Sequence, residues 1–136
     1  MSTQSRISER GETTAATVTY DLDKTATRDI RQAVRQELAG YRGPTVDDAV
    51  LVADEMISNA HRHGDGPRAC RLELGHHGGY LRIEVDDTSP RQPVLRTPSG
   101  SGGRGLLLID RISSIWGVDN HTGHKTTWAE LALDRE

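Results

Sequence analysis

Two alternating segments in the middle of the chain constrain the fold most. CRLEL (70–74) and YLRIEVDD (80–87) alternate apolar and polar residues and are separated only by the turn-rich GHHGG (75–79). Alternation at a period of two is typical of strands that cover a core with one face, and a short glycine-containing turn joins antiparallel neighbours. A hairpin at this place is incompatible with a dinucleotide-binding strand–helix–strand unit there.

Helical spacing precedes the hairpin. Ile30, Val34 and Leu38 repeat at helical spacing, which predicts an amphipathic first helix. Asp23 is expected to cap its N-terminus, and Gly40 is expected to end it.

The remaining segments complete a two-layer architecture. A second helix is predicted over 45–63, a third from about Gly105, and further strands over 17–22 and 116–133. The sequence therefore predicts an α+β fold, a sandwich in which a mixed, largely antiparallel sheet of about five strands is covered by three helices.

Length and charge limit the classes of function. The 136 residues suffice for one domain, which we expect over 17–136, whereas the polar stretch 1–16 is expected to be a disordered tail. A net charge of -3 argues against direct nucleic-acid binding, and no apolar run is long enough for a membrane span. The single cysteine, Cys70, suits a reducing compartment, so a cytoplasmic protein is expected.

The glycine-rich stretch GSGGRGLLLID (100–110) has four glycines in its first six residues. It spells G-x-G-x-x-G, but no strand directly precedes it, so a dinucleotide fingerprint is not supported. The Lys-Ser/Thr pair of a phosphate-binding Walker loop is also missing. The stretch is either a flexible linker or a loop that presents backbone N–H groups to phosphate at the start of the third helix.

Polar residues border the core at two other places. Glu55 and Asn59 are four residues apart and share one face of the second helix, where they are either solvated or form a base and an oxygen ligand for Mg²⁺. Alternation with Ile83 and Val85 turns Asp87 inward. That carboxylate either ends a strand beside a turn or accepts a hydrogen bond from the exocyclic amine of adenine.

Three segments, in this order, resemble the N, G1 and G2 boxes of the GHKL or Bergerat-fold ATPases, the group of gyrase, the ninety-kilodalton heat-shock chaperones and the histidine kinases. They are DEMISNAHRHG (54–64), VDDTSP (85–90) and GGRGLLLIDRISSIWGV (102–118). With the closing GHKTTWAEL (123–131), the chain is most similar to the stand-alone anti-sigma-factor serine kinases of bacteria. The resemblance runs from about Thr17 to Leu133.

The resemblance implies a role for each matching residue. Glu55 would be the general base, Asn59 the Mg²⁺ ligand and a contact of ATP, and Asp87 the carboxylate that binds adenine. His63, at the end of the N box, and Thr126, in the closing strand, would also belong to the ATP site.

The G2 box would bind phosphate. The resemblance implies that Gly103, Gly105 and the following amides of Leu106 and Leu107 hold phosphate at the start of the third helix. Arg104 either contacts a phosphate or is solvated.

Two features depart from the family pattern. Ser89 stands where the G1 box usually carries glycine, so the backbone is expected to approach the base less closely. The segment between the second and third boxes is only about a dozen residues long, so we expect an open nucleotide site with slow turnover.

A basic stripe on the first helix is formed by Lys24, Arg28, Arg31 and Arg35. It is either a solvated face or a docking surface for an acidic partner. The resemblance implies protein contacts there.

The function that the resemblance implies is an ATP- and Mg²⁺-dependent protein serine kinase. Such a protein, as a homodimer, sequesters a sigma factor and phosphorylates a STAS-type anti-anti-sigma antagonist, and so regulates transcription without contacting nucleic acid or membrane. Two other functions stay open, which are an inactive module that only sequesters a regulator and the catalytic domain of a split histidine kinase.

Overall fold

A computed structural model describes residues 16–90 and 104–134. The predicted tail, except for Ala16, and most of the segment between the second and third boxes lie outside these ranges. The described elements, in chain order, are β1 (Ala16–Asp21), α1 (Thr27–Glu37), α2 (Gly43–His63), β2 (Ala69–Leu74), β3 (Tyr80–Asp87), α3 (Arg104–Ile112), β4 (Ile115–His121) and β5 (His124–Ala132).

The strands form one sheet in the order β1-β2-β3-β5-β4, and each neighbouring pair is antiparallel. β3 is central and alternates regularly between buried and half-buried residues. Its inward side chains Leu81, Ile83 and Val85 are almost completely buried. Removing this apolar surface from water stabilises the fold. The predicted α+β sandwich is confirmed, and so is the β2–β3 hairpin.

The three helices cover the inner face of this sheet. α2 contacts both α1 and α3 and also packs on β3, which makes it the central helix of the layer. Small residues such as Ala49, Ala53 and Ala60 line its buried side and let the helix approach its neighbours closely. Cys70 lies in the same core, and burial raises the pKa of its thiol to about 12, so it remains protonated.

Two predicted helix boundaries need correction. Asp23 does not cap α1, which begins at Thr27 after Ala26, because the Asp23 carboxylate instead accepts hydrogen bonds from Arg68. α2 begins at Gly43 and not at Thr45, because proline is well suited to the first helical turn and Pro44 occupies it. The predicted end of α2 at Gly64 is confirmed.

The outer face of the sheet carries a network of ion pairs. Arg71 bonds Asp86 with both terminal nitrogens, at 2.7 and 2.8 Å, and donates to Glu84 through Nε at 2.7 Å. Arg82 joins Glu84 to Glu130. Burial alone would raise the pKa of Glu84, but hydrogen bonds from Arg82 and Arg71 outweigh it, so that this pKa lies below its usual value.

Among the described residues, we find no helix that is both long enough and apolar enough to cross a membrane.

Candidate functional site

Asp87 ends β3 on the inner face of the sheet and is only 5% exposed. Its Oδ1 accepts hydrogen bonds from the ammonium of Lys125, at 2.8 Å, and from the backbone N–H of Ser89, also at 2.8 Å. Lys125 is itself 5% exposed and donates a further bond to the carbonyl oxygen of Ser89, at 2.9 Å. A charged pair is therefore buried at the end of the central strand, where charge is tolerated only with a partner.

The C-terminal end of α2 lies directly against this carboxylate. A Cβ atom added to Gly64 would lie 2.6 Å from Cγ of Asp87 and 2.7 Å from the carbonyl oxygen of Ala60. No real side chain tolerates such distances, so glycine is required here by close approach. The helix and the strand form one corner, with Asp87 at its base.

Arg68 fixes the end of α2. It donates to the carbonyl oxygens of Ala60 and Gly64, both at 2.9 Å, and the Ala60 oxygen also accepts the backbone N–H of Gly64 at 3.0 Å. Its Nη1 also donates to Asp23 at 2.7 Å, and the Arg68 hydrogen bonds lower the pKa of Asp23. These bonds connect the segment after β1 to the corner.

A second set of bonds fixes the segment that follows Asp87. The backbone N–H of Thr88 donates to the carbonyl oxygen of Asp65 at 3.0 Å, and its hydroxyl donates to the carbonyl oxygen of Gly66 at 2.9 Å. The corner is therefore held on both sides of Asp87.

Glu55 and Asn59 lie on α2 as predicted, and both are half-buried. Arg62 donates a long bond of 3.5 Å to Oδ1 of Asn59. At 1.5 Å of rise per residue, Asn59 lies about 8 Å and Glu55 about 14 Å along the helix from Gly64. Because Gly64 contacts Asp87, the side chains of Glu55, Asn59 and Asp87 follow one another along the C-terminal half of α2. His63 is exposed at the end of the same helix.

The start of α3 is described only in part. Gly103 lies outside the described residues, and Arg104 and Gly105 open the helix. Leu106 is buried in the core, whereas Leu107 is half-buried, and α3 packs against α2. The described part of the predicted G2 box therefore begins a helix that packs against α2, the helix that carries Glu55 and Asn59.

Thr126 is not brought to Asp87. Its hydroxyl donates to Asp86 at 2.6 Å on the outer face of the sheet. Successive strand residues point to opposite faces, so the β5 residues on the Asp87 side are Lys125 and Thr127. Sequence reasoning missed Lys125, although its alternation with the buried Ala129 and Leu131 places it inward.

The basic stripe is largely occupied within the chain. Arg31 pairs with Asp54 of α2 at 3.1 Å, and Arg35 pairs with Asp47 at 3.4 Å. These two arginines join α1 to α2. Arg28 and Lys24 are exposed, and Arg28 lies 3.8 Å from its neighbour Asp29.

Comparison with known proteins agrees with this fold. The profile of the histidine kinase-like ATPase domain matches residues 20–130, so the chain belongs to that family. ATP is therefore the cofactor that the fold implies.

A solved structure with the same fold contains the RsbU and RsbW domains of Rv1364c from Mycobacterium tuberculosis. It superposes with a TM-score of 0.65 at 23% sequence identity and covers 91% of this chain, while this chain covers 34% of that one. No match is found among curated protein sequences.

Proposed function

We propose that the Asp87 corner is the base-binding end of an ATP site. The observation that carries this proposal is the close approach of Gly64 to a buried, charged carboxylate at the end of the central strand. A carboxylate only accepts hydrogen bonds, so it suits the exocyclic amine of adenine and disfavours the carbonyl of guanine. The residues present fit an adenine nucleotide in this respect.

Asn59 and Glu55 would serve the phosphate end. The amide oxygen of Asn59 suits Mg²⁺, which prefers oxygen ligands and keeps several of its waters. Glu55, one helical turn away on the same face, would accept the proton of an attacking hydroxyl. Backbone amides at the start of α3, including those of Leu106 and Leu107, would stabilise phosphate charge. ATP supplies the transferred phosphoryl group.

The proposed substrate is a serine of a partner protein. The chain shares its fold with a structure that contains an RsbW domain, and its motifs are similar to those of anti-sigma-factor serine kinases. We infer that it is a cytoplasmic homodimer that binds a sigma factor. It would phosphorylate a STAS-type anti-anti-sigma protein and thereby regulate transcription. Lys24 and Arg28 are the residues of the basic stripe most available to such partners.

A pair of neighbouring variants tests the nucleotide site. Asp87→Asn replaces the acceptor in the corner, whereas Asp86→Asn changes the adjacent carboxylate on the opposite face of the sheet. Calorimetry with Mg-ATP is expected to show at least a tenfold loss of affinity for Asp87→Asn and little change for Asp86→Asn. Equal affinities in the wild type and Asp87→Asn would contradict the proposed base contact.

A test of phosphoryl transfer needs the partner protein that accepts the phosphoryl group. The tagged protein, incubated in cell lysate with Mg-ATP or Mg-ADP, is expected to retain a sigma factor and exchange it for a small antagonist as the nucleotide changes. The antagonist is then the substrate for an assay of serine phosphorylation. Absence of phosphoserine with that partner would reduce the proposal to a module that only sequesters a regulator.

A further inference from the structure

We propose that Lys125 is a positioning residue that sets the base specificity of the site by holding Asp87 as an oriented carboxylate. The inference rests on the proposed nucleotide-binding function and deepens it. It concerns a residue that neither the motifs nor the family match singles out.

The contacts of the pair leave little freedom to the carboxylate. The Lys125 and Asp87 side chains are only 7% and 8% exposed. The ammonium bonds both Oδ1 of Asp87 and the carbonyl oxygen of Ser89, while the N–H of Ser89 returns to the same Oδ1. This closed set of three bonds fixes the plane of the carboxylate through one of its oxygens.

The second oxygen has a different environment. Among residues 16–90 and 104–134, both donors to Asp87 reach Oδ1, and neither reaches Oδ2. The buried ammonium is the ionic partner of the carboxylate, and a buried charge with a partner is tolerated whereas an isolated one is costly. Oδ2 is therefore a pure acceptor, which favours a base with an amino group at the contact and repels one with a carbonyl.

Removing the ammonium changes this selectivity. Without the ammonium, the charge of Asp87 would be buried without its ionic partner, and two of the three bonds that hold Oδ2 in one direction as an acceptor would be lost. The site would then tolerate the carbonyl of guanine. A merely structural role for Lys125 predicts a different result, since a loosened corner weakens the binding of both nucleotides alike.

The ratio of ATP affinity to GTP affinity is therefore the decisive measurement. We expect Lys125→Met to lower this ratio at least tenfold, and Lys125→Arg, which keeps a cation, to retain most of it. Arg42→Met, which removes a half-exposed cation at the far end of α2, is the control and should leave the ratio unchanged. The sequence contains only one lysine besides Lys125, the exposed Lys24.

Chemical labelling tests the geometry without nucleotide. An amine-reactive ester is expected to modify Lys24 readily and Lys125 several-fold more slowly in the same intact protein. Asp87→Asn, which weakens the hold on the ammonium, should raise the rate at Lys125 and leave the rate at Lys24 unchanged. If Lys125→Met does not fold, Lys125→Gln is compared with Lys125→Arg, and if neither folds the labelling result decides.

The outcomes separate this inference from the proposed function. If the wild-type protein binds ATP but Lys125→Met or Lys125→Gln keeps the wild-type ratio of ATP affinity to GTP affinity, the role of Lys125 is overturned and the ATP site stands. Rapid labelling of Lys125 in the wild type would overturn it also. Wild-type protein that binds neither nucleotide would overturn the proposed function and this inference together.

Discussion

Gly64 and Asp87 are in such close contact that a single added Cβ atom would lie 2.6 Å from the carboxylate carbon. The two residues come from the end of α2 and the end of β3, so the contact determines how the helix layer meets the sheet at the candidate site. We expect Gly64→Ala to lower the free energy of unfolding by about 1–3 kcal/mol, as overpacking of a tight site does. Urea denaturation measures the change.

Gly43 provides the control for this substitution. It lies at the other end of α2, and an added Cβ there would meet nothing within 4 Å. Gly43→Ala should therefore change stability by less than about 1 kcal/mol. If the two alanine variants are equally stable, the close approach at Gly64 is not a constraint.

Replacement of Arg68 should weaken the corner from the opposite side. Arg68→Met removes donors to the carbonyl oxygens of Ala60 and Gly64 and the ion pair with Asp23. Because the arginine side chain is only 19% exposed, we expect a loss of about 2–3 kcal/mol by chemical denaturation. Arg42, whose pair with Asp134 is more than half exposed on both sides, is the control, and Arg42→Met should cost less than about 1 kcal/mol. Similar losses in both variants would contradict the assigned role.

Low pH should remove the contribution that the ion pairs on the outer face of the sheet make to stability. Burial alone would raise the pKa of Asp86, but hydrogen bonds from Arg71 and Thr126 outweigh it and lower the pKa below its usual value. The native state thus binds fewer protons at this group than the unfolded state. The stabilisation is complete above about pH 5 and is lost as the pH falls below about 4, toward the lowered folded-state pKa.

Asp86→Asn isolates this effect. The difference in unfolding free energy between the wild type and Asp86→Asn should be largest near pH 7 and shrink toward pH 3. The exposed Asp48 is a control, and Asp48→Asn should show a small difference at every pH. If the difference in unfolding free energy between the wild type and Asp86→Asn stays constant from pH 7 to pH 3, the charge of this carboxylate does not contribute to stability.

Glu55→Gln should separate binding from transfer. The amide retains the size of the side chain but cannot accept the proton of an attacking hydroxyl, so phosphoryl transfer to the partner should fall by about 10²–10⁴-fold. ATP affinity, measured by calorimetry, should remain within a few-fold of the wild type. Asp48→Asn, two helical turns earlier on α2, should retain transfer. An unchanged rate in Glu55→Gln would exclude Glu55 as the base.

The sequence was sufficient to predict the architecture but not the contacts of individual polar groups. The alternation of 80–87 and the spacing of Ile30 and Val34 report burial, which local patterns record well. The partner of Asp23 is Arg68, which lies 45 residues away, so no local pattern could show that this carboxylate bonds a side chain instead of capping a helix.

The same limit applies to the candidate site. Packing of α1 on α2 pairs Arg31 with Asp54 and Arg35 with Asp47, which occupies two of the four residues of a contact surface that looked free in the sequence. Lys125 was detectable in principle from the alternation of β5, but its charge suggested exposure, and only the buried Asp87 opposite explains its position.

The alternation of side chains between the two faces of β3 limits which insertions and deletions the β2–β3 hairpin can accept. Asp86 and Asp87 are adjacent, yet one belongs to the outer ion-pair network and the other to the inner corner. Deleting or inserting a single residue in β3 would exchange the two faces, sending the outer carboxylate inward without a lysine and the inner one outward. Insertions and deletions that preserve both faces of this hairpin are therefore confined to its turn, or must add or remove two residues of a strand at a time. The length of the strand and the position of the candidate site are linked for this reason.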